Sequence, residues 1–280
     1  MENNNVDIYE KSITTKFRAV LWSRFLKAIY DYKLINKGDK ICVCISGGKD
    51  SMLMAKLFMC LQKFMDFEIE VKYLVMDPGY NDINLQTIKN SLKLLSIPAE
   101  IHNTDIFEIA NSQTKSPCFL CAKMRRGALY NIAKSMGCNK IALGHHYDDV
   151  IETTLMNMLS SGSFQTMLPK LHSTNYEGME VIRPLYYIRE KDIIRFKKEH
   201  NLNFIQCACR FTENCAICDN GGGGSRREYI KHLIKELKKE IPQVEENLFN
   251  APNNVTFDMI LGYKENGKYH SYLDDYDKNK

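Results

Sequence analysis

No stretch of the 280-residue chain approaches the roughly 18 consecutive apolar residues that a membrane span needs. The N-terminus, MENNNVDIYEK, is polar and of mixed charge and carries no apolar core of a secretory signal. Both absences imply a soluble, cytosolic protein with no membrane partner. Neither sign of charge is in large excess: 38 Lys+Arg against 34 Asp+Glu leaves +4, which by itself indicates no nucleic-acid partner. Internal repeats are lacking too. Hydrophobic residues at 44% and charged residues at 26% exclude a disordered or fibrous chain. The length suits one or two domains and a core that needs no disulfide staples.

What the chain does have is ten cysteines. In a reducing compartment clustered cysteines bind metal or do redox or sulfur chemistry. Cys42, Cys44, Cys60 and Cys138 sit among apolar residues on expected strands and helices, where a thiol behaves as a small buried hydrophobe. Cys118 and Cys121 form a CxxC, and Cys207, Cys209, Cys215 and Cys218 crowd into one polar stretch. These six need a chemical explanation.

Strand and helix patterns alternate with short connections. Residues 16–36 have helical apolar spacing and stop at Gly38. Strands are expected at 40–45, 70–76, 99–104 and 139–144, with helices at 51–65, 83–95, 118–136 and 149–160 between and after them. The segment VIRPLYYI, with the helical REKDIIRFKKEH behind it, is expected to complete the sheet's edge. This predicts an α/β fold, a doubly wound parallel sheet, with an N-terminal helix and a small C-terminal helical extension. The expected division is an N-terminal helical arm (1–37), a nucleotide-binding domain (38–205) and a cysteine-containing C-terminal region (206–280). That last region holds a Gly run at 221–224, which reads as a linker, then a basic helix and a polar tail.

The most informative motif is Ser46-Gly47-Gly48-Lys49-Asp50-Ser51, which leaves a buried strand and opens a helix. Anions bind at helix N-termini because unpaired N–H groups and the dipole point at them. Adjacent glycines let backbone approach a pyrophosphate. Ser46 and Ser51 offer donors, Lys49 offers charge, and Asp50 is a candidate Mg²⁺ or catalytic carboxylate. A Walker A loop would need Gly at 43 and Ser or Thr at 50, where Val43 and Asp50 stand.

The hexad resembles the pyrophosphate loop of the PP-loop ATP pyrophosphatase superfamily, which splits ATP between its α and β phosphates and adenylates an acceptor. SGGKDS, CFLCAKMRRGALY, IALGHHYDD and VIRPLYYIREKDI, in that order, resemble the tRNA 2-thiocytidine synthetase (TtcA-like) family over about residues 16–250. The resemblance implies adenylation of an anticodon-loop cytidine, C32, at its C2 oxygen, followed by replacement of that oxygen with sulfur. It implies ATP and Mg²⁺, and a [4Fe-4S] cluster held by Cys118, Cys121 and one downstream cysteine. Cys209, in Cys209-Arg210-Phe211-Thr212, best matches the pattern of uridine-thiolating relatives, with Cys207 as the other candidate. Cys207, Cys209, Cys215 and Cys218 also have spacings that suit a four-cysteine zinc site, and the two assignments compete for Cys209.

The resemblance further places Gly144 and His145 at ATP and makes Asp149, rather than Asp148, the catalytic acid of that motif; either acid also suits a helix cap. Asp77 is a further candidate contact to nucleotide or metal. A cysteine desulfurase is the implied sulfur source and a homodimer the implied assembly, with the amphipathic N-terminal helix as a pairing face. The tRNA grip is expected from Lys123, Arg125, Arg126, Arg183, Arg189, Lys191 and the helix from Arg226 to Lys239. Two other readings stay open: thiolation of a uridine or of a non-tRNA acceptor, and a zinc or Fe-S RNA-binding protein with a vestigial ATP site.

Overall fold

A computed structural model describes residues 7–65, 68–112, 117–205, 226–274 and 276. Six strands form the central sheet: β1 (Lys40–Ile45), β2 (Glu70–Asp77), β3 (Ala99–Asn103), β4 (Lys140–Ala142), β5 (Lys170–His172) and β6 (Glu180–Ile182). Their order is β3-β2-β1-β4-β6-β5. Neighbours pair in parallel from β3 across to β6, and only β5 runs antiparallel, against β6.

The expected strands form, with buried apolar runs in β1 and the second half of β2 and a partly buried, mixed sequence in β3. VIRPLYYI differs from its expectation, because it supplies β6 inside the sheet while β5 forms the edge. Only three residues pair there, Lys170 to Ile182 through His172 to Glu180. Arg183 and Pro184 then end β6.

Helices α3 (Lys49–Phe64), α4 (Asp82–Leu94), α5 (Ile106–Asn111), α6 (Pro117–Ser135), α7 (Tyr147–Ser161) and α8 (Glu190–Glu199) flank the strands. β1 shows how the sheet is covered. Its side chains alternate faces, as pleated backbone requires. Ile41, Val43 and Ile45 enter one apolar core with Met52, Phe58 and Ile88, whereas Cys42 and Cys44 enter a second with Tyr130, Ala133 and Ile141. Cys138 belongs to that second core, and Cys60 is buried in the first, where burial pushes its thiol up to about 12. These four cysteines are packing residues, as their apolar surroundings predict.

The N-terminal arm differs from a single helix. It consists of α1 (Ile8–Thr14), one π-turn (Arg18–Trp22) and α2 (Ser23–Asp31). Its apolar stripe is spent inside its own chain. Phe17 packs edge-on against Phe196 at 5.3 Å and Phe25 against Phe58 at 5.5 Å. Lys56 of α3 is fully buried and is held by Asp7 at 2.6 Å and Glu10 at 3.0 Å, which bolts the arm to the helix that opens at the glycine loop. A buried ammonium of this kind needs both carboxylates to offset its lost hydration.

Beyond the sheet lie α9 (Arg226–Glu240) and α10 (Val244–Asn250), both packed on α7. The tail forms a hairpin of β7 (Gly262–Glu265) and β8 (Lys268–Ser271). Its turn, Asn266-Gly267, has φ of 50° and 80°, the left-handed pair that a two-residue hairpin loop demands. Among the described residues no helix is long and apolar enough to cross a membrane.

Candidate active site

The chain winds outward from β1 through β2 to β3, then crosses back to β4 on the other side of β1. Loops leaving β1 and β4 therefore diverge, and in open α/β sheets that divergence makes a ligand crevice. A cleft of about 460 Å³ lies there. Cys44, Ile45, Ser46, Asp50 and Ser51 line it from β1 and its loop; Leu143, Gly144 and His145 from the end of β4; and Asp149 from α7. Met76 of β2 and four residues of α6, Ala122, Arg125, Arg126 and Leu129, complete the wall.

The loop is shaped by one hydroxyl. Ser51 Oγ accepts the Ser46 N–H at 3.1 Å, donates to the Gly48 carbonyl at 3.1 Å and lies 3.2 Å from Ser46 Oγ. Gly47 has φ of +85°, and a Cβ there would meet Ile88 Cγ1 at 2.6 Å and Ile205 Cδ1 at 2.8 Å. Gly48 caps α3 with extended backbone, and a Cβ there would make only an ordinary contact with Ser46 Oγ at 3.7 Å. Gly144 lets the β4 exit pass against the start of α3, because a Cβ would sit 3.2 Å from the Ser51 nitrogen.

The candidate residues divide by position. Ser46, Asp50, Ser51, Gly144, His145 and Asp149 face the cleft. Gly47, Gly48, Lys49 and Asp77 do not line it. Asp77 is buried and accepts the N–H groups of Gly79 at 2.7 Å and Tyr80 at 2.6 Å, so it holds the turn after β2; Tyr80 then donates its hydroxyl to the Ser46 carbonyl at 3.3 Å. The Lys49 ammonium lies 3.2 Å from Asp50 Oδ2 and 3.0 Å from Glu190 Oε1 at the start of α8. Burial disfavours its charge, but Asp50 and Glu190 outweigh that and raise its pKa.

The acids of the GHHYDD motif are both engaged. Asp149 closes a capping box with His146, accepting the His146 N–H on Oδ2 at 2.9 Å, and takes Arg227 Nη1 on Oδ1 at 2.7 Å. Asp148 faces away and receives Arg189 through two nitrogens, at 3.1 and 2.9 Å, and the Glu190 N–H at 2.6 Å. One acid therefore both caps and faces the cleft, while the other anchors α8. His145 is pushed down to about 4 by burial and then by Arg183, so it is a neutral imidazole at pH 7.

Two polar atoms of the cleft, Asp50 Oδ1 and His145 Nδ1, are buried without a hydrogen-bond partner. Burial raises the Asp50 pKa, and a nearby cation would reverse that by favouring the carboxylate. A hard divalent ion with oxygen ligands fits such an atom. Cys118 and Cys121 begin α6, one turn apart, and Cys121 is buried; the side chains of residues 117–119 lie outside the described residues. Thiolate donors at that spacing suit an iron–sulfur cluster. Cys207, Cys209, Cys215 and Cys218 also lie outside the described residues, and among the described residues no group of three or more metal-ligating side chains converges.

Sequence reasoning missed His146 as the cap of α7, Tyr80 as a support of Ser46, and Glu190 as the partner of Lys49. Tyr80 and His146 had local signals, the Asp-Pro-Gly turn before the first and the acid three residues after the second. The pairing of Glu190 with Lys49 depends on elements that meet only in the folded chain.

A parallel sheet with this loop at its switch point defines a PP-loop protein, and residues 19–210 match the family model described as a PP-loop domain. The tRNA-cytidine(32) 2-sulfurtransferase of Geotalea uraniireducens (strain Rf4) is 37% identical over 237 residues, 83% of this chain and 90% of that protein. The enzyme of the same name from Coxiella burnetii (strain RSA 493 / Nine Mile phase I) is 35% identical over 244 residues, 85% and 90% of the two chains. The chain belongs to the tRNA-cytidine(32) 2-sulfurtransferase family. Its fold also resembles that of the U34-tRNA thiolase NcsA from Methanococcus maripaludis, solved with its [4Fe-4S] cluster, at a TM-score of 0.63 and 19% identity over 82% of this chain and 76% of that one.

Proposed function

We propose that this protein is an ATP-dependent tRNA sulfurtransferase that converts cytidine 32 of the anticodon loop to 2-thiocytidine. One observation carries the reading beyond family membership. The helix that begins with Cys118 and Cys121 also walls the nucleotide cleft through Ala122, Arg125 and Arg126. One helix would therefore serve both the nucleotide cleft and the cysteine pair at its start.

The chemistry replaces a poor leaving group with a good one. The cytidine O2 attacks the α-phosphorus of ATP, the bond to the β-phosphate oxygen breaks, and pyrophosphate leaves. Sulfur then adds at C2, and the original oxygen departs with AMP. The loop N–H groups at the start of α3 and the hydroxyls of Ser46 and Ser51 bind and orient the phosphates. Asp50 is the carboxylate that would hold Mg²⁺, which would supply charge neutralisation for departing pyrophosphate. His145, neutral and with an unpartnered ring nitrogen, offers a hydrogen bond without repelling Arg125 or Arg126. Arg125 and Arg126 bring cationic charge to the cleft rim, suited to the phosphates of RNA.

Cys118, Cys121 and Cys209, with Cys207 as the other candidate, would hold the [4Fe-4S] cluster, which would supply the sulfur-transfer chemistry. Residues 38–205 form the nucleotide unit, 1–37 the arm and 206–280 the cysteine-bearing and RNA-gripping region. A cysteine desulfurase as sulfur donor, a homodimer and a cytoplasmic location follow from the family resemblance. For the dimer, the apolar stripe of the arm gives no support, because it is buried within the chain.

The test is a single-turnover reaction of the anaerobically reconstituted protein with unmodified tRNA, ATP, Mg²⁺ and sulfide. It should release one AMP and one pyrophosphate per 2-thiocytidine formed. AMP formation without any thionucleoside would refute the acceptor, and thiolation without AMP would refute the activation step.

A further inference from the structure

Lys49 is the single basic residue of the glycine loop, yet its ammonium is turned from the cleft. It rests between Asp50 Oδ2 and Glu190 Oε1, with Lys49 and Glu190 about three-quarters and four-fifths buried, at 24% and 19% side-chain exposure. The second oxygen of Glu190 is taken by Lys231 of α9. Burial opposes charge on Glu190, but Lys231 and Lys49 outweigh it and hold the carboxyl down to about 2. One carboxylate thus serves two ammonium groups, one from the nucleotide loop and one from the C-terminal helix. The site of Glu190 is fixed independently, because its N–H donates to Asp148.

Asp50 lines the cleft, and its Oδ2 is already within 3.2 Å of the Lys49 ammonium. A rotation of the lysine's flexible stem therefore brings the charge to an incoming phosphate. To make that move Lys49 must leave Glu190. A ligand that recruits a restrained group is bound less tightly by the free energy of the restraint. Lys231 competes for the same carboxylate and weakens the restraint.

We propose that Glu190 is the resting counter-ion of Lys49 and that Lys231 of α9 sets how firmly it holds, so that the C-terminal helix tunes nucleotide affinity. The inference rests on the reading of the cleft as an ATP site. Its signature is a pair of opposite effects. Glu190→Gln releases Lys49 and tightens nucleotide binding. Lys231→Met leaves Glu190 to Lys49 alone and loosens it.

A partly buried ion pair is worth more than an exposed one, so a change of about three- to tenfold is expected in each direction. Long-range electrostatics alone would also give opposite signs, because one change removes a negative charge and the other a positive one. The double variant separates the two causes. If coupling passes through Glu190, Lys231→Met has no effect once Glu190 is Gln, and Glu190→Gln has no effect once Lys49 is Met.

The experiment is calorimetric titration of the full-length, cluster-loaded protein with a non-hydrolysable ATP analogue and Mg²⁺, across wild type, the three single variants and their three pairwise doubles. Non-additivity with opposite single effects is expected. Additive effects, or equal affinity of wild type and Glu190→Gln, would overturn the proposal while leaving the nucleotide site intact. No binding by wild type would overturn the reading of the site and this inference together. Should Glu190→Gln fail to fold, the Lys49→Met and Lys231→Met cycle decides, since an effect of Lys231→Met that survives loss of Lys49 refutes the coupling.

Discussion

The two adjacent glycines of the loop should respond differently to the same methyl group, one in stability and the other in nucleotide affinity. At Gly47 the backbone has φ of +85°, a left-handed conformation that costs an L-residue about 1–2 kcal/mol. The added Cβ would overlap Ile88 at 2.6 Å and Ile205 at 2.8 Å, and Ile88 is fully buried with little room to yield. Overpacking of that kind costs about 1–3 kcal/mol. Gly47→Ala should therefore lose about 2–5 kcal/mol of stability from the two effects together.

Gly48 has φ of −79°, and its nearest neighbour to a Cβ is Ser46 Oγ at an ordinary 3.7 Å. A methyl there restricts the unfolded chain, a gain of about 0.4–1 kcal/mol, and replaces glycine at a helix cap, a loss of similar size. Stability should stay near wild type, while the methyl projects where a phosphate must approach the α3 N-terminus. Urea unfolding followed by circular dichroism measures the first effect, and titration with an ATP analogue the second. The account predicts a marked drop in unfolding midpoint for Gly47→Ala alone and a loss of nucleotide affinity for Gly48→Ala. Equal midpoints for the two variants, or wild-type stability for Gly47→Ala, would refute the reasoning.

Cys121→Ser should lower the iron and acid-labile sulfide of anaerobically purified protein while ATP-analogue affinity stays within about twofold, since its thiol begins α6 and does not line the cleft. Glu152 is raised to about 7, first by burial and then by Asp149. A carboxyl whose folded pKa lies above its unfolded value favours the fold when protonated, so stability should fall as pH rises from about 4.5 to 7. Glu152→Gln should flatten that slope and be the more stable protein at pH 8; an unchanged slope by pH-dependent denaturation would count against it. Neutralising Arg226 and Arg227 together should weaken tRNA binding and make it less sensitive to salt. The log–log slope should shrink by about one to two units, roughly one for each phosphate no longer neutralised, as read by filter binding.

The sheet was largely legible because its strands are local features. Lys40–Ile45 is five buried residues after one exposed, and no helical period competes with it. β5 was not legible, since three residues with only partial burial carry no pattern. The tail hairpin was legible in principle through Asn266-Gly267, but its short, exposed strands lack the apolar alternation that normally flags a pair. Within the site, the loop backbone, the position of Gly144 and the cleft-facing Asp50 and Asp149 follow from the motifs and from strand order. The destination of Lys49 does not. A lysine beside two glycines at a helix start suggests a phosphate ligand, and only the docking of α8 reveals Glu190. Asp148 and Asp149 divide their labour for the same reason, because Arg189 and Arg227 come from elements far along the chain.

Mass spectrometry of nucleosides from total tRNA, in cells with and without this gene, addresses the central claim most directly. The account predicts that 2-thiocytidine disappears on deletion, returns with the wild-type gene and does not return with Cys118→Ala or Asp50→Asn. Persistence of 2-thiocytidine in the deletion strain, or its full restoration by Cys118→Ala, would contradict it.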